Sequence, residues 1–106
     1  MAKDILLYDY IYNDTAAAFI NELTASKGDV RIKVNSGGGN VYAGWGMIGA
    51  IQEERQKGRK INLQIDGIAA SMAANLPAFA DKTTAWNISK FMIHRAESSI
   101  YQQSDQ

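Results

Sequence analysis

Apolar and polar positions follow two alternating periods along the chain, and each change of period marks an element. Ile5-Leu6-Leu7-Tyr8 opens as a strand, and the alternation of Tyr8, Tyr10 and Tyr12 extends it with three tyrosines on one face. Asn13-Asp14 then offers a helix N-cap, and Ala16, Phe19, Ile20 and Leu23 fall at the spacing of an amphipathic stripe. Gly28 stands where a helix stop is expected. Val30, Ile32 and Val34 alternate with Arg31 and Lys33, which predicts a second strand. The spacing predicts a helix over roughly Val41 to Gln56, with Trp45, Ile48 and Ile51 on one face and Gly58 as its stop. Gly44, Gly46 and Gly49 each weaken that helix by about 1 kcal/mol relative to Ala, so it depends on packing. Ile61, Leu63 and Ile65 predict a third strand, and Asp66-Gly67-Ile68-Ala69-Ala70-Ser71 a turn. A helix is expected from near Ser71 towards Ala80, kinked by Pro77, which lacks a backbone donor. Thr83 to Trp86 reads as a weaker strand or turn, Phe91 to His94 as a short strand, and 102–106 as a polar, frayed tail.

The order βαβαβ, followed by further helix and strand, predicts one α/β domain over 1–106. Its core would be a parallel sheet with right-handed crossovers. Ligands of such sheets gather beyond the carboxyl ends of the strands. Three features fall there: the Gly37-Gly38-Gly39 turn, the Ser71 turn and His94.

Composition narrows the chemistry. The 11 basic and 11 acidic residues cancel, which removes the electrostatic footprint of a nucleic-acid or anionic-membrane binder. With no cysteine, thiol catalysis and disulfides are excluded. One histidine excludes a His-rich metal site, and no metal or cofactor is implied. No apolar run approaches the ~20 residues of a membrane helix or a secretory signal. The expectation is a soluble cytoplasmic protein.

A glycine run between strand and helix exposes backbone N–H groups that hold an anion or serves simply as a tight turn. Neither the dinucleotide spacing nor a phosphate-loop Lys-Ser/Thr is present. A serine at a helix start is an ordinary N-cap. Ser71, however, is flanked by Gly67, Ala69, Ala70, Ala73 and Ala74, so little would shield its hydroxyl. A strand-to-helix turn with such a serine is the layout of a nucleophile elbow, and the helix N-terminus behind it favours an oxyanion. His94 reads either as a core residue or as the base such a serine requires. Their separation of 23 positions leaves room for one helix and one strand. Asp66 could cap or orient the turn. The run Glu53 to Lys60 reads as a solvated helix end, and Trp45 and Trp86 as packing residues.

Four blocks together resemble the Clp protease proteolytic-subunit family: Asn35-Ser36-Gly37-Gly38-Gly39, Val41-Tyr42-Ala43-Gly44, Asp66 to Ala73, and Phe91 to His94. Their wording is most similar to the phage and prophage branch, the head maturation proteases that act without an ATPase. The resemblance implies a serine endopeptidase on the ClpP/crotonase-like fold. Ser71 matches the nucleophile and His94 the general base. The backbone N–H groups of Gly39 and Met72 match the oxyanion hole. It also implies peptide or protein substrates and assembly into homo-oligomeric rings.

Two departures accompany it. Gly37 stands where the family has proline before its paired glycines, which loosens the oxyanion loop. The family's triad Asp lies ~50 residues beyond the His, where it orients the imidazole, whereas this sequence ends 12 residues after His94. Relative to the family the chain therefore reads as truncated in its C-terminal part. Asp66, Asp81 and Asp105 do not match the missing position. Two other readings follow: a catalytically inactive assembly module, and a crotonase-type acyl-CoA enzyme, which would share the fold and the glycine loop.

Overall fold

A computed structural model describes residues 2–92. Strand β1 (Lys3–Leu7) leads to helix α1 (Asn13–Ala25), β2 (Val30–Ser36), helix α2 (Val41–Gln56) and β3 (Ile61–Ala70). A 3-10 helix (Ser71–Phe79), β4 (Lys82–Ala85) and β5 (Lys90–Met92) follow. All the strand pairs are parallel, in the order β1-β2-β3-β4, with β5 also pairing β3.

The alternation in the sequence becomes the two faces of this sheet. Ile5, Leu7, Val30, Ile32, Val34, Ile61, Leu63 and Ile65 are buried in one core with Phe19 and Leu23 of α1 and Met47, Ile48 and Ile51 of α2. Such side chains each contribute roughly 1.5–3 kcal/mol on leaving water. The opposite face is polar. Asp4 and Arg31 form a two-point ion pair at 3.0 and 2.9 Å, and Thr84 Oγ1 donates to Gln64 Oε1 at 2.6 Å.

Several elements differ from the sequence expectation. β1 ends at Leu7, and the chain turns there as Asp9 Oδ1 accepts from the Tyr10 N–H at 2.7 Å. Tyr8, Tyr10 and Tyr12 therefore do not share a strand face. Helix α1 starts after Tyr12, with no side-chain cap, so Asn13-Asp14 lies inside its first turn. Trp45 is exposed, away from the buried stripe of α2, and its ring lies edge-to-face with that of Phe79, 5.9 Å between ring centres. Trp86 is exposed as well. β3 continues to Ala70 through a break in its register with β2, in place of the expected turn. From Ser71 to Phe79 the helix winds as 3-10 throughout, with Pro77, which has no backbone donor, inside it.

The charged end of α2 is not solvated throughout. Glu54 is only 4% exposed. Lys57 Nζ and Arg59 Nη1 each donate to its carboxylate at 3.0 Å. Arg59 also donates to the carbonyls of Leu23 and Gly28 and to Ser26 Oγ. One guanidinium thus closes the loop after α1 against the end of α2.

Candidate active site

The site is built where β2 and β3 end. Ser36 at the end of β2 is buried, and its Oγ accepts from the Gly38 N–H at 3.1 Å. This short side-chain turn starts the glycine loop. Gly38 has φ +95° and Gly39 φ +150°, conformations that favour glycine. The segment after β1 then fixes the loop from outside. Ile11 N donates to Gly38 O, and Asn40 N donates to Ile11 O, each at 2.7 Å. Asn40 also caps α2, its Oδ1 accepting from the Ala43 N–H at 2.8 Å.

Space matters as much as dihedral angle. A Cβ on Gly38 would lie 2.6 Å from Ala70 O, 2.7 Å from Ser71 Cβ and 3.0 Å from Met72 N. The glycine loop is therefore packed directly onto the Ser71 turn. Gly44 likewise touches the Met72 side chain. At Gly37 a Cβ would meet the Tyr10 ring at 2.7 Å, so Tyr10 occupies the space that the family's proline would need.

Ser71 is the only non-glycine among the described residues with positive φ, at +56°. It follows buried Ala69 and Ala70 and precedes buried Met72, Ala73 and Ala74, yet is itself half-exposed. A left-handed backbone at a non-glycine costs of order 1–3 kcal/mol and persists only where its surroundings enforce it. Sharp strand-to-helix turns of this kind lift a serine hydroxyl clear of the sheet. Met72 is the second residue of its helix, where the N–H has no partner within the helix. The Gly39 N–H makes no hydrogen bond among the described residues.

Of the four residues singled out in the sequence, Ser71, Met72 and Gly39 thus belong to one pair of contacting loops. His94 lies outside the described residues. β5 runs parallel to β3 and places Met92 opposite Ala70, the residue before Ser71.

Asp66, which the sequence suggests could cap or orient the turn, is held by the side chains of Tyr8, Trp86 and Lys33. Its carboxylate accepts from the Tyr8 hydroxyl and, at 3.1 Å, from Trp86 Nε1. It also faces Lys33 Nζ at 3.6 Å. Burial pushes this carboxyl up, but the hydrogen bonds from Tyr8 and Trp86 and the Lys33 charge outweigh it and hold it below the usual range. The same contact pushes the Tyr8 phenol up. Asn35, which heads the glycine-loop block, and Ser89, which carried no sequence signal beyond polarity, also serve this region. Asn35 Oδ1 accepts from the Ile68 N–H at 3.1 Å, and Ser89 Oγ donates to Ile65 O at 2.7 Å.

A parallel α/β sheet carrying a serine at a left-handed strand-to-helix turn, against a glycine loop whose Gly39 N–H is available, has the layout used by serine hydrolases. The family model for Clp protease matches residues 1–106, and the chain belongs to the Clp protease family. That family consists of serine-type peptidases that act on protein substrates and form oligomeric rings. Comparison with curated proteins gave no match.

Proposed function

We propose that this protein is a serine endopeptidase that hydrolyses peptide bonds through an acyl-enzyme on Ser71. The observation that carries the reading is the left-handed Ser71, packed against Gly38 and followed by a helix start. Ser71 Oγ attacks the scissile carbonyl while His94 takes its proton. The carbonyl oxygen becomes an oxyanion and is held by the N–H groups of Gly39 and Met72. His94 then returns the proton to the leaving amine, and water repeats the sequence to release the acid. The Gly39 N–H is available for this role, and the parallel course of β5 supports His94 returning to the same end of the sheet. Similarity of the motif wording to head maturation proteases supports capsid-assembly proteins as the substrate class, and ring assembly is inferred from the family.

The test is cleavage of a panel of fluorogenic peptides by the full chain. Wild type is expected to turn over, with Ser71→Ala and His94→Ala each reduced by at least about a thousandfold. Equal turnover by Ser71→Ala would overturn the assignment.

A further inference from the structure

The carboxyl end of β3 contains an irregularity that the mechanism above does not use. Val34 of β2 faces Ile65 of β3, and Ser36 faces Ala69. β2 advances two residues while β3 advances four, so β3 carries two extra residues there. Bulges of this kind re-aim a strand and are common beside active sites. β3 also changes partners at this point. Asn62 to Ile65 pair with β4, Ile68 to Ala70 pair with β5, and Asp66 and Gly67 pair with neither.

The backbone groups freed by the bulge are recovered by side chains from both sides. From β2, Asn35 Oδ1 takes the Ile68 N–H at 3.1 Å. From the turn before β5, Ser89 Oγ serves Ile65 O at 2.7 Å, with Asp66 O at 3.3 Å. Gly67 completes the fit, because a Cβ there would collide with Asn35 Oδ1. The Asn35 side chain, though exposed, therefore bridges β2 to the stretch that the two extra residues displace. Only Ala69 and Ala70 separate Ile68 from Ser71, and that short piece packs its Ala70 carbonyl and Ser71 Cβ against Gly38. A sideways shift of the bulge reaches the serine directly, since no loop intervenes to absorb it.

We propose that Asn35 is a positioning residue: its side chain, wedged against Gly67 and bonded to Ile68, sets the course of the last residues of β3 and so the place at which Ser71 presents its hydroxyl. This rests on reading Ser71 as the nucleophile. The hydrogen bond is accepted by oxygen, so a carboxylate of the same shape preserves it and a methyl group does not. The Asp66 side chain, tied to Tyr8, Trp86 and Lys33, holds the other flank of the same bulge.

The experiment measures two quantities on the full chain and its variants: the rate of Ser71 labelling by a fluorophosphonate, and the amide NMR shifts and hydrogen exchange of Ile68, Ser71 and Met72. Asn35→Ala is expected to slow labelling by about tenfold to a hundredfold, the scale of a small misplacement of a reacting group. It should also speed exchange at Ile68 and move the Ser71 and Met72 amide resonances. Asn35→Asp should restore both quantities towards wild type. Gly67→Ala, which dislodges the same amide, should mimic Asn35→Ala, and the double variant should be no slower than either single one. If Asn35→Ala does not fold, Asn35→Gln replaces it, since one added methylene misplaces the amide and the same losses are expected. Unmoved Ser71 and Met72 resonances, equal losses in Asn35→Asp, or strictly additive losses in the double variant would overturn the proposal. Wild type that does not label would overturn the nucleophile reading instead, while the amide measurements would still decide whether Asn35 places the turn.

Discussion

Each residue at the Ser71 turn is constrained twice, by conformation and by room. Gly38 shows both constraints, with φ +95° and three neighbouring atoms within 3.0 Å of any added Cβ. Gly38→Ala is therefore expected to destabilise by more than about 1 kcal/mol, beyond the ordinary glycine-to-alanine effect. It should also abolish Ser71 labelling, because the methyl group displaces Ser71 Cβ and Met72 N together. Thermal unfolding and labelling on the same sample check this. An alanine protein as reactive as wild type would show that the loop and the turn are less tightly coupled than their contacts imply. Gly37 makes the contrasting case. Its backbone is ordinary, and only the Tyr10 ring stands in the way. The looseness expected from losing the family's proline is thus countered by an aromatic side chain from a separate segment, a contact that no local pattern announces.

At the scale of elements, α2 tests how glycines should be read. Its three internal glycines look equivalent in sequence but differ in the fold. Gly44 faces the Met72 side chain, whereas Gly46 and Gly49 have open space around a prospective Cβ. Gly46→Ala and Gly49→Ala are expected to raise stability by roughly 0.5–1 kcal/mol each. Gly44→Ala should lower it by crowding Met72 beside the candidate oxyanion donor. Urea unfolding of the three variants checks the order. The strands and helices were largely legible, since alternation in β2 and β3 and the 3.6-residue stripe of α1 reflect direct burial. Where the reading departed, non-local contacts decided. The turn after Leu7 ended the tyrosine alternation, and pairing with β5 kept β3 extended to Ala70. The Ser71 turn and glycine loop could be picked out because their small residues cluster in sequence. The Asn35–Ile68 bond and the Tyr8–Asp66–Trp86 contacts could not, because their partners lie far apart in sequence.

For the whole molecule, stability draws on a few shielded carboxylates as well as on the apolar core. Hydrogen bonds from Lys57 and Arg59 hold the Glu54 carboxyl below its usual range despite burial. The Ile61 N–H, donating at 2.7 Å, and Arg55 do the same for Asp81. A depressed folded-state value means that the unfolded chain binds protons first. Their contribution is complete above the ordinary carboxylate range and drains away as pH falls through the folded-state values. Stability is therefore expected to fall on the acid side and to be insensitive to these groups near neutrality. Glu54→Ala leaves Arg59 without its carboxylate in a setting where Arg59 is only 10% exposed. It should cost about 3 kcal/mol near neutral pH and flatten the acid limb of the stability profile, as read by thermal unfolding across pH. An unchanged acid limb would assign it to other carboxylates.

Everything proposed for this site depends on Ser71 being a reactive nucleophile held ready by its turn. The most direct measurement is treatment of the full chain with a fluorophosphonate, followed by peptide mapping of the adduct by mass spectrometry. A single adduct is expected on Ser71, lost in Ser71→Ala and in protein unfolded with urea. An adduct on another residue, or labelling that persists in Ser71→Ala, would contradict it.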